Sequence, residues 1–422
     1  MNAHATAVTT SPATTSPVTT SPVTTIPPTT PLAATPGTAP MPAAQPPAPA
    51  PHYLLVGNDE KVTWDDGRIR FLAPGRDSLS IFDAAANPAA PALVATLPLP
   101  NSLFGPPVNL AVTPDQRLAL IADSMAWPER ADSKGWQPTP GRDLYVLDLT
   151  ATPPAIVQTL QVGLQPSGLS INRAGTMALV ANKAGCSVSV LTIRDGHVAV
   201  CGEIDLGTPV VAVSFSGDGR RAYVVKTDTH RLAVLHVDDT GPTPRVTHDP
   251  SEDLTTGLVP FNLVVSPDGT LALVVDMGSP TASDGHADSI SVVDLQSDPP
   301  RVVDRVMVED GPEGIAISPD GRHAAVAIVQ GSNNPSSDWF HHPHGQIVLL
   351  HIDGLRVTRA AAIDVGALPE GIAFSPDSRY LYVGNFLDAT LQVLAVGDNG
   401  LTDTGTCIPL PGHPASMRAQ SY

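Results

Sequence analysis

Apolar residues in this chain come in short paired runs, each pair hinged on a polar turn. Residues 314–328 show the unit: Gly-Ile-Ala-Ile, then Ser-Pro-Asp-Gly, then Arg-His-Ala-Ala-Val-Ala-Ile. Runs this short, rich in Val, Ile, Leu and Ala and bounded by turn residues, predict β-strands. The turn recurs as Thr-Pro-Asp-Gln at 113–116, Ser-Gly-Asp-Gly at 216–219, Ser-Pro-Asp-Gly at 266–269 and 318–321, and Ser-Pro-Asp-Ser at 375–378. Asn-Arg-Ala-Gly at 172–175 is a degenerate copy. Proline pre-sets φ, the Asp carboxylate caps the turn, and Gly takes the positive φ that closes the hairpin. The motif therefore reads as structural and not as a nucleotide or metal loop.

The Asp position falls at 115, 174 (an Ala), 218, 268, 320 and 377, giving spacings of 59, 44, 50, 52 and 57 residues. A repeat of this size made of strands alone predicts a β-propeller. Each unit holds four strands, as in 263–266, 271–276, 289–294 and 302–308. Residues 414–422 match a first strand with no second strand after it. Residues 54–58 (Leu-Leu-Val-Gly-Asn) match the second strand at 381–385 with no first strand before it. The two fragments make one blade shared by both ends, which closes the ring without a free sheet edge. Six whole units and one split unit predict an all-β, seven-bladed propeller with four-stranded blades over residues 52–422. Residues 1–51 form a Thr/Pro/Ala/Ser tract with no charge, which predicts a disordered or polyproline-like tail.

Segments such as Gly-Pro-Glu-Gly-Ile-Ala-Ile-Ser-Pro-Asp-Gly (311–321) and Leu-Pro-Glu-Gly-Ile-Ala-Phe-Ser-Pro-Asp-Ser (368–378) resemble the YVTN-repeat β-propellers. The resemblance covers about residues 53–422 and implies seven blades. That family includes scaffolds, binding proteins and relatives of lactonase-type and amine-dehydrogenase heavy-chain propellers, so it implies no single activity. Lactonase-type propellers carry Pro-Arg-His where the inner strand begins. This chain departs from that pattern, with Pro-Glu-Gly at 312–314 and 369–371.

Composition narrows the partners. Net charge is −18, with 41 acidic against 23 basic residues, and only Lys61, Lys134, Lys183 and Lys226 are lysines. That balance argues against nucleic acid or an anionic membrane as the main partner, because both require positive charge. No apolar run is long enough to span a membrane. The expectation is a monomer that binds a small molecule. The chain shows no readable signal peptide, which favours the cytoplasm over secretion. Cys186 and Cys201 lie too far apart along neighbouring strands to bridge, and Cys407 is left over.

Candidate chemistry gathers in the loops between second and third strands, which are long in four blades: 58–78, 124–143, 277–289 and 330–345. All four tryptophans, Trp64, Trp127, Trp136 and Trp339, fall in these loops. They predict either one shared ligand surface or four separate props that hold the loops to the rim. His342 and His344 point the same way in extended chain, and His286 lies in the preceding long loop. This set predicts a divalent-metal site of unspecified identity, or a surface cluster that only orders a loop.

A second constellation lines the inner ring. Eight residues past each turn Asp stand Asp123, Asn182, Lys226, Asp276, Ile328 and Asn385, with Asn58 in the split blade. The asparagines read as structural. Asp123, Lys226 and Asp276 depart from them and are candidate functional groups. Second in each inner strand come Val108, Ser167, Val211, Phe261, Glu313, Glu370 and Ala415. Fifth come Ala111, Ser170, Ser214, Val264, Ala316, Ala373 and Arg418. Arg418 beside Glu370 and Glu313 predicts an acid–base or substrate-binding group, or a buried salt bridge that fixes closure. Nucleotide motifs and the nucleophile elbow are missing from the sequence, so no nucleotide cofactor is expected.

Two functions follow. One is a lactonase-like, metal-assisted hydrolase or lyase acting on a small organic substrate at the long-loop face, with Glu313, Glu370, Arg418 and Asp276 as catalytic groups. The other is a non-catalytic ligand-binding or protein-interaction scaffold. A weaker third makes the chain one subunit of a redox complex.

Overall fold

A computed structural model describes residue 22 and residues 50–419, apart from 103, 133, 134, 242 and 399. The expected tail, residues 1–51, lies outside the described residues except at positions 22, 50 and 51. Residues 48–422 form one compact unit.

The strands build seven antiparallel four-stranded sheets, one of them carrying an extra two-residue strand. Six blades are continuous in sequence and are numbered here 1 to 6, over 110–161, 166–205, 210–255, 260–307, 312–364 and 369–409. The seventh, the closing blade, takes its inner strand from His413–Ala419 and the rest from Tyr53–Asp59, Ser78–Asp83 and Ala92–Pro98. Its inner strand is described to Ala419, and residues 420–422 of the expected strand lie outside the described residues. It packs between blades 6 and 1, which closes the ring as predicted.

Alternation along each strand explains why the apolar runs are nearly unbroken. In blade 4, Leu271, Leu273 and Val275 join a core shared with blade 5, while Ala272 and Val274 join the core shared with blade 3. Successive side chains point to opposite faces, and here both faces are covered. Each of the seven blade interfaces has such a core.

One end of the ring, the turn face, carries the repeated turns. Ser318 Oγ donates to Asp320 Oδ1 at 2.6 Å, the same oxygen accepts Arg322 N–H at 3.1 Å, and Gly321 sits at φ 72°. Asp115, Asp218, Asp268 and Asp377 make the same two bonds. In the degenerate copy Asn172 Oδ1 takes over, accepting Thr176 and Met177 N–H at 2.9 and 3.0 Å. Gln116 replaces the turn glycine at φ 56°. Its amide accepts from Tyr53 N–H and donates to Pro51 O, both at 2.7 Å, pinning the start of the closing blade.

Candidate functional site

The opposite end, the loop face, holds the four long loops. The loop at 58–78 is not irregular: Val62–Asp65 and Arg68–Phe71 pair as a hairpin around Asp66-Gly67. Both turn residues have positive φ, 43° and 74°, the backbone that an Asp-Gly pair favours. The hairpin tip reaches two blades away. Asp66 Oδ1 accepts Ser336 N–H at 2.9 Å, and a Cβ on Gly67 would lie 2.2 Å from the Pro335 ring. Only glycine permits that approach.

The aromatic residues divide. Trp127 is buried, donates Nε1–H to Leu72 O at 3.0 Å and meets Phe71 edge-on at 5.7 Å. Trp64 and Trp136 pack against the same small core of Val62, Met125 and Trp127. Trp64 also meets Phe386 of blade 6 edge-on at 5.6 Å. Three of the four tryptophans thus tie the hairpin and the blade 1 loop together. Trp339 stands apart, 77% exposed, over Phe340 and Gly285.

Beneath this core lies a buried charge cluster. Lys61 Nζ donates to Asp77 Oδ2 and to Asn101 O, lies 3.5 Å from Asp59, and stands 5.5 Å from the Trp127 ring centre. Asp123 shares the neighbourhood. Burial pushes its carboxyl up to about 7, and Lys61 only partly offsets that. Asp77 and Lys61 escape the ring-position comparison because the closing blade's second strand runs on past Asn58. The signal was the scarcity of lysine itself.

Lys226 is held by Asp253 Oδ2 at 2.8 Å, while His248 Nε2 meets the other oxygen of Asp253 at 2.8 Å. This buried trio braces the 227–256 segment of blade 3. Asp276 accepts Gly257 N–H at 3.0 Å and the hydroxyls of Ser291 and Ser289 at 2.7 and 3.1 Å. Asn385 likewise accepts Gly366 N–H, but its Nδ2 donates to the Thr390 hydroxyl and to Gln392 Oε1. Asp276 therefore occupies the asparagine position and accepts the matching backbone N–H, with the hydroxyl bonds reversed, and burial lifts its carboxyl to about 6.

The expected metal set is not assembled. His286 is exposed and pairs with Asp284 at 3.0 Å, while the backbone N–H of His342 bonds Gln330 O. Among the described residues, no three His, Cys, Asp or Glu side chains, with His286, His342 and His344 included, come close enough to hold a metal. Beside His286 stand two further carboxyls, Asp288 in the same loop and Asp310 in the link from blade 4 to blade 5. Asp310 accepts the N–H groups of Asp284 and Gly285, and Asp288 accepts that of Gly311. Burial raises both, Asp288 to about 7.

Glu313 and Glu370 do come together. They occupy the same position in the inner strands of adjacent blades, 8% and 3% exposed, and their carboxyl groups stand close enough to shift each other. Burial pushes both up, and the neighbouring Glu313 raises Glu370 further. No donor group of the protein reaches Glu370 Oε2. The expected pairing with Arg418 does not form. Among the described residues no carboxylate lies within ion-pair distance of Arg418, whose Nε has no partner. It lies three positions further along its strand and lines a cavity toward the turn face. The alternation that keeps position five in the channel separates it from position two.

No family model matches the chain. A stretch of 113 residues, 26% of this chain, is 33% identical to Antigen Lp49 of Leptospira interrogans and spans 24% of that protein. A protein from Bacteroides fragilis provisionally assigned as a 6-phosphogluconolactonase superposes with a TM-score of 0.70 at 14% identity, over 89% of this chain and 100% of that one. The periplasmic gluconolactonase of Pseudomonas aeruginosa gives 0.60 at 20% identity, over 88% and 99%. At these identities the likeness is one of architecture, and the chain is a seven-bladed β-propeller of the shape those proteins share.

Proposed function

We propose that this propeller is a hydrolase of a small ester, with a lactone as the substrate class, and that Glu313 and Glu370 are its acid–base pair. The observation that carries the reading is that Glu313 and Glu370 are buried side by side at one position of adjacent inner strands, where burial raises both carboxyls. Glu313, ionised, takes a proton from water as its oxygen adds to the ester carbonyl carbon. Glu370, protonated, gives its proton to the departing alkoxide as the carbon–oxygen bond breaks. The pair begins and ends with one proton, transferred from Glu370 to Glu313, so it resets by a shift across a single hydrogen bond. Carboxyls raised toward neutral pH are suited to both roles. The lactone class is taken from the names of the similarly shaped proteins. The departure from Pro-Arg-His at 312–314 and 369–371 means that the chemistry would rest on this chain's own glutamates.

The test is pH-stat hydrolysis of gluconolactone and simple aliphatic lactones by the full chain. Glu370→Gln and Glu313→Gln are each expected to lower kcat/KM by at least about 100-fold with unchanged far-UV dichroism. Activity should survive dialysis against a chelator. Full turnover in the double variant would overturn the proposal.

A ligand-binding module without turnover is the second reading, favoured by Trp339, whose ring is 77% exposed beside Phe340 on the loop face. It predicts a saturable ligand whose affinity falls in Trp339→Ala and is indifferent to Glu370→Gln.

A further inference from the structure

The central channel contains a cavity of about 120 Å³ toward the turn face. Its walls come from the inner strands of blades 2 to 6 and the closing blade. The wall residues at position five are small, with Ser170, Ser214, Ala316 and Ala373 among them, and Arg418 is the one large side chain in that ring. Arg173 lines the same cavity from the blade 2 turn and reaches Pro267 O at 3.4 Å.

Two features of this cavity need explaining. The first is charge: two arginines line it, and no Asp or Glu among the described residues does, in a chain with net charge −18. Lys61, Lys226, Arg221 and Arg359 each meet a carboxylate. The second is that Arg418 has no ion pair, its Nε is buried without a partner, and its surroundings favour loss of charge through burial alone. An arginine left this way costs stability unless something in solution completes it. A guanidinium offers a planar fork of donors that fits two oxygens of one carboxylate or phosphate. The cavity of about 120 Å³ has room for such a head group.

We infer that the channel, from its turn-face end, is a binding site for a small oxyanion, a carboxylate or phosphate group, held by Arg418 with Arg173 and the hydroxyls of Ser170 and Ser214 beside it. The site is separate from the Glu313–Glu370 pair. Its test reads binding and not turnover, so it stands or fails independently of the proposed hydrolase.

The test is isothermal titration of the full chain with inorganic phosphate and, separately, with acetate, in a buffer free of other oxyanions. One-site saturable binding of either anion supports the site, and the preferred anion tells which head group it takes. Arg418→Met should weaken that binding by at least about 10-fold, and Arg418→Lys by less, since the charge remains and the fork is lost. Arg379→Ala, at an exposed turn arginine paired with Asp377, should leave it unchanged. Melting gives a second readout that does not depend on ligand choice. Without anion, Arg418→Met should melt above wild type, because an unpaired charge is gone. Added anion should raise the wild-type midpoint and leave the variant's unmoved. Absence of saturable binding of both anions to wild type, or equal binding by a folded Arg418→Met, overturns the inference.

Discussion

The two ends of this propeller use the same side chain in opposite ways. On the turn face Asp218, Asp268, Asp320 and Asp377 stand in near-identical turns. Against a burial cost that would raise them, a serine hydroxyl and the N–H two residues on hold each carboxyl below its usual range. On the loop face Asp123, Asp288, Glu313 and Glu370 are buried with too few donors, and all four are raised. The repeat makes every turn solve one problem, closing a hairpin in water. The loops face no shared problem, so their carboxyls are free to take unusual protonation states, which is where acid–base chemistry becomes available.

That contrast can be broken from either side. The largest stability effect is expected at the loop face. Lys61→Met leaves Asp77 and Asp59 buried without their cation and should cost about 3–5 kcal/mol in urea unfolding. A loss under 1 kcal/mol would show that water reaches the cluster. On the turn face Asp320→Ala removes three hydrogen bonds to a charged acceptor, one of them the exposed Arg322 pair, and should cost about 1.5–3 kcal/mol at pH 7. This stability is present above the unfolded Asp value and is lost as pH falls through the lowered folded one. The variant and wild type should therefore converge in strong acid.

The difference between the ends also explains what the sequence could convey. The turns, the seven blades and the shared closing blade were legible because Ser-Pro-Asp-Gly is a local device whose chemistry is complete within four residues. The pairing of Glu313 with Glu370 was legible in part, since both hold one position in adjacent repeats. The isolation of Arg418 from those glutamates was not, because ring position says which blade a residue is on but not its depth along the channel. Within the long loop at 58–78, Asp66-Gly67 between alternating strands carries the hairpin signal for Val62–Phe71. The His residues looked like ligands because extended-chain geometry was assumed for 341–344, where the chain instead turns back on Gln330.

A smaller effect is expected from pH. Carboxyls raised in the fold stabilise it fully below their unfolded values and lose that contribution as pH rises through the folded ones. Wild type should therefore soften between about pH 4 and 7, by no more than about 1.4 kcal/mol per pH unit for each proton. Glu370→Gln should flatten part of that slope in midpoints measured by calorimetry. A slope identical to wild type would mean that the pair titrates normally. Smallest of all, Trp339→Ala should change stability by less than about 0.5 kcal/mol, as its ring is mostly in solvent.

The central claim is that the Glu313–Glu370 pair keeps a proton at neutral pH. Infrared difference spectroscopy between wild type and Glu370→Gln at pH 7 tests it directly. A protonated-carboxyl band present in wild type and missing from the variant is the predicted result. Its absence from the wild-type spectrum would mean that both glutamates are ionised, and the acid–base account would fail.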